Sequence, residues 1–234
     1  MYRAFLVLLG YLASCAAGPE APLPVVDAVS EFPVKLPPAA PPPLPRPAPV
    51  DYDSSAWTEL IRLDSSFVLD LRYATANNFM EQRVYDCGRC FYRPKVARAL
   101  LRAQNELRDR GIGLKMYDCY RPAPYQQRLW DILPDARYVA RPAKGSLHSR
   151  GAAADLTLID LTTREELPMG TPYDFFGEAA YTTTTDLPGE VLANRALLQD
   201  VLSRNGFATI RTEWWHFNFT GPRYPLSDWV WPCE

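Results

Sequence analysis

The chain has 234 residues, of which 47% are hydrophobic, and its 25 Lys and Arg against 27 Asp and Glu give a formal net charge of −2. This near-neutral balance excludes a surface that follows a phosphate backbone, so no nucleic-acid partner is expected. Two other counts are unusual, namely 23 prolines and only two histidines. The distribution of proline indicates how the chain is divided into segments, and the two histidines indicate where a reactive site can form.

Residues 1–14 have the features of a bacterial export signal. Arg3 precedes an apolar run over residues 4–13, which is shorter than the roughly 20 residues of a membrane-spanning helix but suits a signal-peptide core. The run Leu12-Ala13-Ser14-Cys15 is similar to the lipobox of bacterial lipoproteins, which implies a lipid anchor on Cys15. Ala16, where an Asp would retain a lipoprotein at the inner membrane, favours the periplasmic face of the outer membrane of a Gram-negative bacterium. The alternative is an ordinary secretory leader with an incidental cysteine.

Residues 15–50 are predicted to be a spacer. Residues 19–49 hold 12 of the 23 prolines, and each proline fixes φ and lacks an amide donor, so helix and interior strand are disfavoured. A semi-stiff polyproline-type segment is expected, with a proline-motif ligand for a partner domain as the alternative. Residues 51–234 then form one domain, which is long enough to bury its own core.

The cysteines of this domain are Cys87, Cys90, Cys119 and Cys233. An even number in an exported protein predicts two structural disulfides, with three possible pairings. Cys87 and Cys90 also form a CxxC motif, which indicates redox chemistry or zinc in other settings. Because no second CxxC is present, a four-thiolate zinc site is poorly supported.

Three helices are predicted. Pro94 stands at a first helical position, and apolar residues then recur at helical spacing as far as Leu107, with Gly111 beyond them. This pattern predicts a helix over residues 94–110. Pro122 opens a shorter helix that ends near residue 133. Residues 190–205, followed by Gly206, form the third.

Four strands are predicted between and after these helices. They are residues 114–119, 152–160, 207–210 and 214–219, which alternate in polarity or are rich in apolar and β-branched side chains. Helices and strands do not follow a regular βαβ order, so the expected class is α+β.

Both histidines have a carboxylate close by in the sequence. Asp155 follows His148, and Glu213 precedes His216. Two imidazoles and one carboxylate make a three-ligand zinc set that leaves a position for water, and a carboxylate outside the metal shell can serve as general base. Residues i and i+3 of a regular strand point to opposite faces, so Glu213 and His216 can share a site only if a bulge or a strand start lies between them.

Five runs, found in order within residues 57–220, carry a family resemblance. They are Leu71–Phe79, Asp118–Pro122, Ser146–Leu158, Pro168–Phe175 and Glu213–His216. Together they resemble the zinc D-alanyl-D-alanine dipeptidases, a family that includes the vancomycin-resistance dipeptidases. The resemblance implies the fold shared with zinc D,D-carboxypeptidases and hedgehog signalling domains, in which a small antiparallel sheet is flanked by helices.

The resemblance also implies a role for each matching residue. His148, Asp155 and His216 would bind one Zn²⁺ per chain, and Glu213 would act as general base and then as general acid. Arg121 would stabilise the negative oxygen of the tetrahedral intermediate. The remaining residues would line the dipeptide pocket or orient Arg121; they are Tyr73, Ser146 and Asp174 for the pocket, and Asp118 for Arg121.

Structural alternatives stand beside these roles. Arg121 can be a plain ion-pair partner of Asp118, Asp174 can be a turn residue, and Trp214-Trp215 are expected in the core and at its rim. The predicted function is zinc-dependent hydrolysis of D-alanyl-D-alanine or similar small D,D-dipeptides. The alternatives are a D,D-carboxypeptidase or endopeptidase acting on peptidoglycan stem peptides and, from a different class, a non-catalytic wall-binding lipoprotein.

Overall fold

The computed structural model describes Gly18 and residues 49–136 and 138–233. Apart from Gly18, the predicted signal peptide, Cys15 and the spacer as far as residue 48 lie outside the described residues. The predictions for these segments are therefore not tested by the structure.

Within residues 49–136 and 138–233 there are four α-helices, at Leu60–Leu63 (α1), Pro94–Arg108 (α2), Ala123–Ile132 (α3) and Gly189–Arg204 (α4). The three predicted helices are confirmed as α2, α3 and α4, whereas the single turn α1 is too short to show helical periodicity. Helix α2 opens on its proline because a first-turn residue needs no amide donor, and its apolar side chains at i, i+3 and i+4 spacing are buried. Among the described residues, no helix is long and apolar enough to cross a membrane.

The main sheet has five strands in the order β2-β4-β5-β7-β6. Their bounds are Val68–Leu69 (β2), Ile112–Asp118 (β4), Ala153–Asp160 (β5), Phe207–Thr209 (β6) and His216–Phe219 (β7). Strand β5 lies in the middle and is buried along nearly its whole length, which explains why most of its side chains are apolar. Helices α2 and α4 pack against this sheet and against each other.

The predicted α+β class is confirmed, and three of the four strand pairings are antiparallel. The exception is the edge strand β2, which runs parallel to β4. A separate two-stranded ribbon pairs Thr58–Glu59 (β1) with Phe91–Tyr92 (β3). Strands of two residues are too short to display an alternating pattern, so neither β2 nor the ribbon could be predicted.

Two disulfides join the four cysteines, as expected. Cys90 pairs with Cys119, and Cys87 pairs with Cys233. The CxxC motif is therefore divided between two bridges, which is incompatible with a dithiol that cycles within the motif. One bridge lies in the core and the other secures the C-terminal segment.

Candidate active site

A row of three polar side chains crosses the centre of the sheet. The strand register places Asp118 at the end of β4 opposite Asp155 on β5, and Asp155 opposite His216, the first residue of β7. Directly opposed residues project from the same face of a sheet. Residues separated by up to 98 positions in the sequence are thereby brought side by side in the sheet.

His148 reaches this row from a 3-10 turn, His148–Arg150, that precedes β5. The turn ends at Gly151, which has φ of 66°. This left-handed conformation favours glycine, and a Cβ there would also lie 2.6 Å from the ring of Trp57. Gly151 therefore allows the chain to reverse sharply and carry His148 to the sheet.

The predicted ligands form a compact triad. The Nε2 atom of His148 lies 3.3 Å from Nδ1 of His216 and 3.3 Å from Oδ1 of Asp155, and the last two atoms are 2.9 Å apart. Two ligands of a tetrahedral Zn²⁺ with bonds of about 2.0–2.1 Å are separated by about 3.3 Å, so this donor set fits zinc. Within residues 49–136 and 138–233, it is the one cluster of three such donors.

Each ligand is oriented by a further contact. The carbonyl of Cys119 lies 2.8 Å from Nδ1 of His148 and accepts its proton, which leaves Nε2 free to bind a metal. Oδ1 of Asn218 lies 2.9 Å from Nε2 of His216 and accepts in the same way, and the hydroxyl of Tyr173 donates to Oδ2 of Asp155 over 3.0 Å. Such outer contacts fix the tautomer and the ring orientation of metal ligands.

The charges within the triad support one another. Burial raises the pKa of Asp155, but the adjacent His148 and His216 outweigh this effect and hold it well below its usual value. Burial lowers the pKa of His216, whereas its hydrogen bond to Asp155 raises it, with a net value of about 9. A divalent cation would replace the protons that this carboxylate now attracts.

Glu213 lies beside the triad, with Oε2 3.8 Å from Nδ1 of His216. Strand β7 starts at His216, so Glu213 lies before the strand. The rule that residues i and i+3 of a strand point to opposite faces therefore does not apply to this pair. Burial raises the pKa of Glu213 above its usual value, and His216 partly opposes this rise. The neighbouring Trp214 and Trp215 are buried in the core, as predicted.

Arg121 is held in a buried polar cluster. Its Nε and Nη2 atoms donate to Oδ2 of Asp118 over 3.1 and 2.5 Å, and Nη1 donates to Oε1 of Gln126 over 3.0 Å. The hydroxyl of Tyr85 donates to the other oxygen of Asp118 over 2.7 Å. Burial opposes the charge of Arg121, yet Asp118 holds its pKa well above its usual value, so the guanidinium is a permanent, oriented cation.

The predicted pocket residues lie close to the other site groups, and the guanidinium carbon of Arg121 is 5.1 Å from the ring centroid of Tyr73. The hydroxyl of Tyr73 donates to Oδ2 of Asp174 over 3.0 Å, and burial raises the pKa of Asp174 well above its usual value, with Asp155 adding to the rise. Asp174 has φ of 58°, a left-handed conformation that aspartate adopts more readily than most residues. The hydroxyl of Ser146 accepts the backbone N–H of His148 over 3.2 Å.

One cavity of about 230 Å³ brings these groups together. Every predicted site residue of the domain lines it except Asp118, which lies fully buried behind Arg121. Its mouth is aromatic, since Phe176 contacts Phe79 and Tyr138 with ring centroids 5.0 and 4.3 Å apart. The cavity is below the roughly 300–1,000 Å³ that accepts drug-sized ligands, so it suits a small substrate.

Several functional neighbours escaped prediction. Asn218 had a usable signal, because residues i and i+2 of a strand share a face and Asn218 follows His216 by two. Tyr173 adjoins Asp174, but its contact with Asp155 depends on loop folding. Tyr85 and Gln126 had no sequence signal, since their partners lie on other elements.

Comparison with known proteins supplies the family. Residues 58–228 match the model of the peptidase family described as D-ala-D-ala dipeptidase. A D-alanyl-D-alanine dipeptidase of Escherichia coli is 36% identical over 176 residues, which cover 74% of this chain and 91% of the relative. The chain is a member of this dipeptidase family.

Further members of the dipeptidase family resemble it to a similar degree. The D-alanyl-D-alanine dipeptidase of Enterococcus faecium is 31% identical over 185 residues, which cover 70% of this chain and 92% of the relative. Among solved structures, the vancomycin-resistance D,D-pentapeptidase VanY in complex with Zn(II) matches with a TM-score of 0.38 and 16% identity over 56% of this chain and 74% of that one. The LD-carboxypeptidase LdcB matches with a TM-score of 0.39 and 18% identity over 74% and 72%.

Proposed function

We propose that this protein is a zinc-dependent dipeptidase that hydrolyses D-alanyl-D-alanine and similar small D,D-dipeptides. The observation that carries the proposal is the joining of a three-ligand triad, a carboxylate outside it and an oriented guanidinium in one small cavity. Curated relatives with 31–36% identity over most of the chain are named D-alanyl-D-alanine dipeptidases, which supports the same substrate here.

His148, Asp155 and His216 would hold the metal. When bound, Zn²⁺ lowers the pKa of water and polarises a carbonyl oxygen. The protein's contribution is to present one nitrogen from each imidazole and one carboxylate oxygen, each oriented by a hydrogen bond from the outer side. These outer contacts would hold the three ligands in the orientation that metal binding requires.

Glu213 is proposed as the proton carrier of the reaction. It would accept a proton from the attacking water and later donate it to the departing amine nitrogen. The raised pKa caused by its burial brings it closer to the operating pH, and this increases its strength as a base and its ability to return the proton. Its distance from His216 places it beside the triad but outside the set of ligands.

Arg121 is proposed to stabilise the oxygen that becomes negative when water attacks the amide. Three of its five N–H groups are used by Asp118 and Gln126, which leaves one on each terminal nitrogen without a bond to any described residue. A preorganised donor of this kind acts most strongly in a site that excludes water. The ion pair with Asp118 is real as well, and it orients the guanidinium.

Asp174 is proposed to bind the free ammonium of the dipeptide, with Tyr73 holding its carboxylate in place. The raised pKa shows that this carboxylate is poorly stabilised without a cation. A substrate with a blocked amino group would leave the carboxylate unpaired, and this penalty would disfavour longer peptides. Ser146, which lines the same cavity, is proposed to contact the substrate from the side of His148.

The test is a substrate panel on the zinc-loaded protein. D-alanyl-D-alanine, L,D-dipeptides and stem pentapeptides are each incubated with the enzyme, and the released amino acid is measured. We expect D-alanine from the D,D-dipeptide with the highest kcat/KM of the panel. Faster cleavage of pentapeptides would establish the D,D-carboxypeptidase alternative, and no cleavage with zinc bound would establish a non-catalytic protein.

We also propose that the protein is exported and lipid-anchored through Cys15 to the periplasmic face of the outer membrane. The support is the lipobox-like run in the sequence and the presence of two disulfides, which form in oxidising compartments. Labelling with a radioactive fatty acid should mark the wild type in the outer-membrane fraction. Cys15→Ser should lose both the label and the membrane location, and an unchanged fraction would contradict the anchor.

A further inference from the structure

The segment from Asp118 to Arg121 holds His148 from two sides. The carbonyl of Cys119 accepts the Nδ1 proton of His148 over 2.8 Å, and the backbone N–H of Arg121 donates to the carbonyl of His148 over 3.1 Å. The first bond selects the tautomer in which Nε2 faces Asp155 and His216. Oδ2 of Asp118 lies farther from the same nitrogen, at 3.5 Å, so the Cys119 carbonyl is the nearer acceptor and its position bears most directly on the orientation of His148.

The sheet does not fix that carbonyl. Strand β4 ends at Asp118, and its pairing with β5 is irregular between Met116 and Asp118. Cys119 lies beyond the last paired residue, in the irregular segment before α3. Such a residue needs another anchor if its carbonyl is to stay in place.

The anchor is the ribbon strand β3 and the residue before it. Cys119 is bonded to Cys90, and the backbone N–H of Tyr120 donates to the carbonyl of Phe91 over 3.0 Å. Both cysteines are fully buried. The disulfide therefore fixes the backbone at Cys119, where strand pairing in the main sheet has ended and the candidate site begins.

The second disulfide provides a natural comparison. Cys87 is half-buried and Cys233 is exposed, and both line a cleft that is separate from the cavity of the candidate site. The carbonyl of Cys87 accepts the indole N–H of Trp231 over 3.2 Å, so this bridge serves the C-terminal segment. None of its described contacts is with a residue of the candidate site.

We propose that Cys90 and Cys119 are positioning residues for the metal ligand His148. Their disulfide keeps the Cys119 carbonyl where it orients the imidazole, so full zinc affinity requires this bridge and not the other. The inference rests on the proposed function only in assuming a zinc site. It concerns metal binding, which is measured without any substrate.

Matched double variants of the full chain test this proposal. Cys90→Ala/Cys119→Ala removes the inner bridge, and Cys87→Ala/Cys233→Ala removes the outer one; each protein is exported so that the remaining disulfide forms, and is solubilised in detergent. Zn²⁺ affinity is measured by competition with a chromophoric chelator. Loss of outer contacts to a metal ligand typically costs about 10–100-fold, so we expect about tenfold weaker zinc binding without the inner bridge and less than twofold without the outer one.

Thermal stability should follow the opposite order from zinc affinity, with the larger loss when the outer bridge is removed. The outer bridge closes 146 residues of sequence and the inner bridge 29, and a longer closed loop restricts the unfolded chain more. The melting temperature should therefore fall further in Cys87→Ala/Cys233→Ala. If the inner bridge only stabilised the fold, zinc binding would be weaker in the less stable variant, which is expected to be the one without the outer bridge. Weaker zinc binding in the variant without the inner bridge would therefore require the positioning role.

The imidazole gives a direct spectroscopic readout. Since the chain has only two histidines, ring-nitrogen NMR spectra of the metal-free protein contain two sets of signals. We expect a single Nδ1-protonated tautomer of His148 in the wild type and in the outer-bridge variant, and a tautomer mixture in the inner-bridge variant. Equal zinc affinity and an unchanged tautomer in all three proteins would overturn the proposal.

The remaining outcomes are also decisive. If Cys90→Ala/Cys119→Ala does not fold, the inner bridge holds the fold and not the ligand, and the proposal is wrong. If both variants lose zinc equally, the effect is general and the proposal is again wrong. If the zinc results are as expected but no D-alanyl-D-alanine is cleaved, only the proposed function fails.

Discussion

The two ends of the cavity are built in different ways. The metal end takes Asp155 and His216 from neighbouring positions on paired strands, where the register fixes their separation. The substrate end takes Tyr73 and Asp174 from a 3-10 turn and a loop, and its aromatic mouth also comes from loops. A site of this design combines a rigid reactive centre with a recognition region whose shape can vary without disturbing the sheet.

The largest expected effect lies at the rigid end. His216→Ala removes one of three ligands and should reduce zinc content to background and hydrolysis below detection, because the two remaining donors cannot complete the site. Metal analysis together with a D-alanine assay measures both quantities. Normal zinc content in this variant would separate His216 from the metal centre.

Glu213→Gln should reduce hydrolysis without reducing zinc content, whereas His216→Ala should reduce both. The amide keeps the size of the side chain but cannot accept the proton, so kcat should fall by about 10²–10⁴-fold, while zinc content stays at the wild-type level. Unaltered turnover would show that another group carries the proton.

Asp174→Asn should act at the loop-built end. Hydrogen bonds to charged groups contribute about 1.5–3 kcal/mol, so losing the partner of the substrate ammonium should raise KM about 10–150-fold with zinc retained. The matched measurement uses N-acetyl-D-alanyl-D-alanine. The variant should discriminate less against this blocked dipeptide than the wild type does, and an unchanged preference would remove Asp174 from recognition of the amino group.

Phe176→Ala should give the smallest effect. Phe176 lies at the cavity mouth with its ring 42% exposed, and an aromatic contact contributes about 0.5–1.5 kcal/mol. We expect KM for the dipeptide to change less than about tenfold and zinc content to stay constant. A loss of zinc would mean that the mouth and the metal end are not independent.

The same division explains what the sequence could predict. Helices α2 and α4 carry long periodic patterns, and β5 is rich in apolar and β-branched residues, so the α+β frame was predictable from composition and spacing. The grouping of His148, Asp155 and His216 was predictable because the chain has only two histidines and each has an acid nearby. Even so, only the start of β7 at His216 explains how Glu213 can share the site.

The remainder depended on contacts that no local pattern encodes. The edge strand β2 and the β1–β3 ribbon are two residues long, and the disulfide pairing was one of three possibilities. Gln126 orients Arg121 from a helix, and Tyr173 orients Asp155 from a loop. Such partners are determined by how separate elements pack, and this information is absent from spacing along a single chain.

Arg89 would have a mechanical consequence if the chain is anchored through Cys15 as proposed. Its guanidinium binds the carboxylates of Asp51, at the start of the domain, and of Glu59 on β1, and it donates to the carbonyl of Pro232 next to the Cys87–Cys233 bridge. A pulling force that enters the domain at Asp51 would therefore be shared at once between the first strand and the disulfide-bonded C-terminal segment.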